Sequence, residues 1–561
     1  MKNWIPAFAG MTTMLLVACA QMPSASNPGD YDIVIRNGRV LDGAGNPWIA
    51  ADVGIKNGRF AKVGLIRERG KKEIDASGKY VSPGWVDMMD QSGDQLAHNG
   101  LAENKVKMGV TTGIAGEGGF PSTGAMMTEQ GQGDQIPPEG IGAYFAKLEK
   151  QGISMNFGTY YGATQARVEV MGDGDGKPTR EQMEKMKDHV ARAMQGGAFG
   201  ITTALIYPPS SFQTTEELIE LAKVASKYKG IYASHIRDEG KDLLKAINEV
   251  IEISEKGGVQ GEVFHFKAAY APGFGKIMPQ AVKLIDDARG RGVNIAADMY
   301  VYPAGGTGLD VTAPSWVYAD GYEKGVEKLK DPAVRARAKK DLAKGSLPGW
   351  SNLVEACGGW EHIVLADPHA EKYEQYKGKS LAEIGKGLHQ DPADVAWDIV
   401  IAARPNRAMG LYFMMDERDI ETALKAPWVA IGSDAAAADH GQVDALGLRH
   451  PRSYGVFPRV IAEYVKKRGV LTLPDAIRKM TSWPAARMGL ADRGVIREGM
   501  WADVTIFDLD KIKDESTFEN PFVYPSGIDD VLVNGVVVVE NGEHTGAKPG
   551  HVLRGPGYVG H

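Results

Sequence analysis

The segment "YDIVIRNGRVLD" alternates apolar and polar positions up to an Asn-Gly pair, and "ADVGIKNGRFAKVG" does the same shortly afterwards. Alternation with a period of two is strand patterning, and Asn-Gly between such runs is the strongest short-range hairpin signal. The far end of the chain repeats the style in "REGMWADVTIFDLD" and "DDVLVNGVVVVENGE". Residues 31–80 and 491–555 are therefore predicted to form one small composite β-sandwich, since the ends of a domain often lie close together.

Between them the pattern changes. Short apolar runs alternate with stretches of helical period such as "TTEELIELAKVASKYK". Eight runs read as buried strands: "GWVDMM", "VTTGIAGEG", "MNFGTYYG", "AFGITTAL", "GIYASHI", "GEVFHFKA", "VNIAADMY" and "WVAIGSD". Alternating βα units of this number predict an α/β fold, a (β/α)8 TIM-like barrel over residues 81–490. Residues 304–400 are too many for one connection and are predicted to be an inserted, lid-like subdomain. In a barrel of this kind the chemistry sits at the C-terminal ends of the strands. Asp87, Glu117, His235, His265, Lys267, Asp298, Tyr300 and Asp434 all fall at or near such ends.

Composition narrows the chemistry. The 561 residues are 43% apolar and 24% charged, with a formal charge of -7, which offers no basic face for nucleic acid. Two cysteines, Cys19 and Cys357, exclude a disulfide framework and a cysteine-rich zinc site. A bound metal must draw on the 12 histidines and on carboxylates. Cys357 reads as a packed thiol, because no His and acidic partner can be assigned to it.

The N-terminus carries Lys2 and then a short apolar run too rich in small residues for a membrane span. It ends in Leu16-Val17-Ala18-Cys19, which resembles the lipobox of bacterial lipoproteins. Residues 1–19 are then a signal peptide, residues 20–30 a flexible tether, and the protein is expected to be exported to the periplasmic face and anchored there through lipid. The alternative is an N-terminus that begins at a later methionine or stays uncleaved.

His235 closes "GIYASHI" and His265 lies in "GEVFHFKA", in consecutive βα units, so both imidazoles are expected over one mouth of the barrel. Asp434 ends "WVAIGSD". Two neutral imidazoles can hold a divalent ion, and a nearby carboxylate can handle the proton of a bound water.

The segments "GGAFGITTALIYPP", "YASHIRDEG", "FHFKAA", "AADMYVYPAGGT", "IGSDA", "HPRSYGVFPRVIAEYV", "RKMTSWPAARMGLADRGVIREGMWADVTIFD" and "FENPF" resemble the D-aminoacylase (N-acyl-D-amino-acid deacylase) branch of the amidohydrolase superfamily. The resemblance runs in order along nearly the whole chain after the tether. It implies the barrel, the composite β-sandwich and hydrolysis of an N-acyl amide bond. It also exposes departures. The first strand of that family ends in His-X-His, where this chain has Met89 and Gln91. The family's second-strand cysteine is replaced by Gly118, and its third-strand "GHG"-like turn by Gly162 to Gln165.

In the binuclear form of the superfamily, the His-X-His pair and the strand-eight Asp serve one metal position, and the strand-five and strand-six histidines serve the other. A thioether and an amide are poor zinc ligands, so the first position is expected to be empty. The second keeps His235 and His265, and Glu117 is the nearest replacement for the lost thiolate. The expectation is one Zn²⁺ on Glu117, His235 and His265, with Asp434 as general base and acid. Manganese, iron or cobalt could use the same set. Asp90 is a weaker candidate ligand, and an ion pair or helix cap is the plain alternative for Glu117.

The resemblance also places Arg452 on a substrate carboxylate, with Lys267 and Tyr300 assisting. Lys267 lies two residues past His265 and so on the same face of a strand. A surface salt bridge is the plain alternative for Arg452, a core hydroxyl for Tyr300, and Tyr302 could take the place of Tyr300. Asp298 is expected to hydrogen-bond within the site. His98, His440 and His450 could line the pocket. The expected substrate is a small N-acyl amino acid, of D configuration as the resemblance implies. A dipeptide or another carboxylate-bearing amide is the alternative, and a binding lipoprotein without catalysis a more distant one.

Overall fold

The computed structural model describes residues 1, 30–119, 140–438 and 450–560. All eight sequence-predicted strands form: Trp85–Asp90, Val110–Ala115, Asn156–Thr159 continued by Tyr161–Gly162, Gly200–Ala204, Ile231–His235, Gln260–Val263, Ile295–Met299 and Val429–Ile431. Each pairs in parallel with its neighbour in chain order. The ring closes between the last and first strands. Asp434 N–H donates to Met89 O at 2.9 Å, Gln91 N–H to Ala435 O at 3.1 Å, and Asp90 and Ala435 form a parallel bridge.

A buried ion cluster reinforces that closure. Lys105, from the short helix Glu103–Lys107, reaches Asp90 Oδ1 at 2.7 Å and Asp87 Oδ2 at 3.0 Å. The same ammonium donates to Ser433 Oγ at 2.7 Å and Ala435 O at 2.6 Å. Burial alone would strip Lys105 of its proton, but the two carboxylates reverse this and raise its pKa.

Helices cover the outside of the barrel. Thr215–Lys227 shows why: Thr214 accepts from Glu217 N–H as its N-cap, and Leu218, Leu221, Ala222 and Ala225 are buried at spacings of three and four. Inside, Met88, Ile114, Tyr160, Phe199, Ala233 and Phe264 fill the barrel, so it is a packed core and not a pore.

A nine-stranded sheet draws on both ends of the chain. The join is the antiparallel pair of Tyr80–Pro83 with Val504–Phe507. Strand Tyr31–Val40 pairs along one edge with Ile49–Lys56. Its other edge is shared between Gly70–Asp75 and Tyr80–Pro83, on either side of the irregularity at Ile35 to Gly38. Ile33, Ile35, Val53, Phe60, Val81, Val504, Ile506 and Leu532 form the common core of this unit.

Between the seventh and eighth barrel strands lies a subdomain with its own three-stranded antiparallel sheet, ordered Gly305–Gly308, Met409–Tyr412, Ile363–Asp367. Its central strand is the last in sequence, so the insertion extends past residue 400 to Tyr412. It is fastened over the loops after strands four to six. Tyr207 Oη donates to Thr307 Oγ1 at 3.1 Å, Tyr270 Oη to Glu355 Oε1 at 3.1 Å, and Ser351 Oγ to Asp238.

Candidate active site

The chain turns sharply after the second, sixth and eighth strands, where Glu117, His265 and Asp434 stand. Gly116, at φ +110°, follows the second strand. A Cβ there would come within 2.9 Å of Thr159 Oγ1, so only glycine lets the chain pass and present Glu117. His265 and Asp434 are left-handed at φ +36° and +50°, a conformation that costs a non-glycine residue about 1–3 kcal/mol. His265 is held there by its own N–H, which donates to Asp298 Oδ1 at 2.8 Å, the within-site hydrogen bond expected of Asp298. Asp434 is held by its bond to Met89 O.

Glu117, His235 and His265 converge. Glu117 Oε1 is 3.0 Å from His235 Nδ1 and 3.0 Å from His265 Nε2, and the two rings lie edge-to-face with centroids 4.4 Å apart. One ligand atom from each lies within 4.8 Å of the others, and all three residues are buried. Two imidazoles and a carboxylate are a zinc donor set, and buried carboxylates without a cation are costly, so these residues fit a divalent ion. Gln91 Nε2 donates to Glu117 Oε2 at 2.6 Å, which turns Oε1 toward the histidines. Burial would raise the Glu117 pKa, but the two imidazoles hold it well below the usual carboxylate range.

Glu239, which sequence reasoning did not single out, completes the group. Its Oε1 lies 2.9 Å from His265 Nδ1 and 2.5 Å from Lys267 Nζ. Against its burial, Lys267 and the two histidines keep the Glu239 pKa low. Burial and the Lys267 ammonium act against protonation of His265, yet Glu239 and Glu117 outweigh them and push its pKa up to about 10 in the metal-free protein. The one trace of Glu239 in the sequence is its place in "SHIRDEG", four residues past His235; its pairing with Lys267 shows only in the fold.

Lys267, Tyr300 and Arg452 are brought together. The Lys267 ammonium is 5.6 Å and the Arg452 guanidinium carbon 4.8 Å from the centre of the Tyr300 ring, which itself lies 6.4 Å from the His265 ring. Arg452 Nη1 also pairs with Asp434 Oδ2 at 2.6 Å, a contact not anticipated from sequence. Asp434 has its pKa raised by burial, and Arg452 opposes the rise.

Other expectations are corrected. Asp90 is no ligand candidate, because Lys105 and Ser92 engage Oδ1, at 2.7 and 2.6 Å respectively. Tyr302 lines the same cavity as His265, Lys267 and Tyr300, and its hydroxyl donates to Asp514 Oδ2 at 2.7 Å. His450 is a support: its Nδ1 accepts the Arg452 N–H at 3.0 Å and its Nε2 donates to Ala304 O at 2.9 Å. His98 faces its own helix, with Nδ1 2.7 Å from Asp94 O. Cys357 is buried, and burial pushes its thiol pKa up, as a packed thiol requires. His440 and Cys19 lie outside the described residues.

Residues 396–539 match the model of the Amidohydrolase family. The chain is 30% identical to an N-acyl-D-glutamate deacylase of Alcaligenes xylosoxydans xylosoxydans over 93% of its own length and 96% of that protein. It is also 30% identical to a D-aminoacylase of the same organism, over 94% of its length and 99% of the relative. Among solved structures, the N-acyl-D-glutamate deacylase of Bordetella bronchiseptica, complexed with zinc and a phosphonate mimic of the tetrahedral intermediate, superposes with a TM-score of 0.76 at 29% identity, covering 93% of this chain and 99% of that one. A D-aminoacylase structure, described as having a binuclear centre with one-metal activation and second-metal attenuation, gives 0.77 at 28% identity, covering 93% and 100%. The chain belongs to the amidohydrolase family, within its branch of N-acyl-D-amino-acid deacylases.

Proposed function

We propose that this protein is a metal-dependent hydrolase that removes the acyl group from N-acyl-D-amino acids with one zinc ion on Glu117, His235 and His265. The convergence of two buried imidazole nitrogens on Glu117 Oε1, which together make a set of three donors, is the observation that carries the reading. Similarity to deacylases of N-acyl-D-amino acids over nearly the whole chain supports the substrate class. Zinc in such a donor set supplies Lewis acidity toward a carbonyl and activation of a water.

The remaining work falls to the protein. Asp434 accepts the proton of the attacking water and returns it to the leaving amine. Its raised pKa suits it to both halves of that cycle. Arg452 and Lys267, gathered at Tyr300, bind the substrate carboxylate and so orient the amide against the metal. Asp434 engages the Nη1 end of Arg452, which links the binding group to the proton shuttle.

A single ion is favoured by what stands at the end of strand one. Met89 is a buried thioether, and the Gln91 amide is turned onto Glu117. Metal analysis of protein purified without added metal is expected to give one zinc per chain. Release of amino acid from N-acetyl-D-methionine, abolished by chelator and far slower with the L form or with dipeptides, is the matching assay. Two tightly bound ions, or full activity without metal, contradict the reading. The lipobox-like residues up to Cys19 support a lipid anchor at the periplasmic face, and Cys19→Ala is then expected to move the protein from the membrane to the soluble fraction.

A further inference from the structure

His265 has two ring nitrogens with opposed surroundings. Nε2 belongs to the ligand group, 3.0 Å from Glu117 Oε1. Nδ1 has two neighbours, Lys267 Nζ at 2.7 Å and Glu239 Oε1 at 2.9 Å. These make contrary demands on one proton. An ammonium can only donate, so pairing Nδ1 with Lys267 requires a bare Nδ1 and puts the proton of the neutral ring on Nε2. A carboxylate can only accept, so pairing with Glu239 requires Nδ1–H and leaves the Nε2 lone pair open.

We propose that Glu239 is a positioning residue that decides this contest, fixing the His265 proton on Nδ1 and keeping Nε2 a metal donor. The proposal rests on the reading of His265 as a zinc ligand. The geometry shows how the carboxylate prevails. Glu239 Oε1 also takes the Lys267 ammonium at 2.5 Å, and the His265 carbonyl takes it at 2.9 Å. Two of the three N–H bonds of Lys267 thereby have other acceptors, whereas a carboxylate oxygen facing Nδ1 can only be met by a donor. A carboxylate behind a ligating histidine typically accounts for about 10–100-fold in metal affinity.

The same oxygen serves the ligand and the cation proposed for the substrate carboxylate. Loss of Glu239 therefore does more than remove an acceptor: it turns Lys267 into an active competitor for Nδ1. This makes a double substitution informative. Zinc dissociation constants are measured by competition with a chromogenic chelator, and the visible spectrum of the cobalt-substituted protein reports the ligand field.

Glu239→Leu is expected to weaken zinc about 10–100-fold and to alter the cobalt spectrum. Glu239→Gln, whose amide oxygen still accepts from Nδ1, is expected to weaken it less. Adding Lys267→Met to either variant is expected to restore part of the affinity, because the competing donor is gone. A merely structural role for Glu239 gives no such rescue. If Glu239→Leu does not fold, by circular dichroism, the Glu239→Gln pair carries the same comparison.

Wild-type affinity in a folded Glu239 variant overturns the proposal, and so does a double variant no tighter than its Glu239 parent. If the wild type binds no zinc, the ligand assignment fails and this proposal falls with it. If the wild type binds zinc and only the Glu239 comparison fails, the ligand assignment stands alone.

Discussion

Gln91 donates its side-chain amide to Glu117 Oε2 across 2.6 Å, and both residues are buried. The residue found where the family resemblance leads one to expect a histidine ligand thus serves a neighbouring carboxylate. Glu117 is left with one oxygen toward Gln91 and one toward the imidazoles. Gln91→Leu is expected to loosen this orientation and weaken zinc about 10-fold, read by chelator competition, with the fold intact by circular dichroism.

Asp434 is outside the group of three donors formed by Glu117, His235 and His265. Asp434→Asn is expected to retain one zinc per chain while kcat falls about 10²–10⁴-fold, the usual worth of a general acid–base group. Loss of the zinc together with the activity would instead make Asp434 a ligand.

Arg452 touches both Asp434 and Tyr300, and its removal has two separable effects. Arg452→Ala is expected to raise KM for N-acetyl-D-methionine well above the change seen for its carboxamide, because only the acid carries a charge that a guanidinium can pair with. A smaller fall in kcat, common to both substrates, is expected from the loss of the Asp434 partner. Equal KM effects on acid and amide would remove Arg452 from the substrate site.

Lys105 joins the first strand to the last through Asp87, Asp90, Ser433 and Ala435. Removing one partner of a buried ion pair strands the other charge, at a cost of about 3–5 kcal/mol. Lys105→Met is therefore expected to lower the urea midpoint strongly. Adding Asp90→Asn is expected to recover part of the loss, because one stranded carboxylate becomes a neutral amide. The midpoints of the two variants decide the point.

Lys479 provides a stability test far from the chemistry. Its ammonium sits under the eighth strand, donating to Ala426 O and Val429 O, and burial lowers its pKa to about 8. The unfolded chain keeps a lysine near about 10.4, so between these values the unfolded state binds more protons. The contribution of Lys479 is thus unfavourable below pH 8 and is relieved as pH rises from about 8 to about 10.4, by at most about 3 kcal/mol. Relative to Lys479→Met, the wild type is expected to gain stability over that interval in urea titrations. Parallel pH profiles for the two would place the Lys479 pKa at its ordinary value.

Much of this was legible in the chain. The eight strands were marked by short apolar runs, and His235, His265 and Asp434 by their places at strand ends. The insertion was visible as an overlong connection, but not its far edge, because its central strand, Met409–Tyr412, is closed by a partner about a hundred residues earlier. Glu239 was hidden for a related reason. Its role depends on Lys267, which is distant in sequence and meets it only once two barrel strands lie side by side. Asp90 misled because a carboxylate beside a catalytic strand has the same appearance whether it faces a metal or a buried lysine such as Lys105.

The strand pair that unites the two ends of the chain also has a consequence in time. Tyr80–Pro83 meets Val504–Phe507 only after more than four hundred further residues have been made. Until then the early β segment carries an unsatisfied edge of backbone donors and acceptors, the kind of edge that pairs with a stranger when its own partner is late. Each newly made molecule therefore depends on a late segment to shield an early one. A ribosome that stalls within the barrel would release a chain most prone to aggregate at the end it made first.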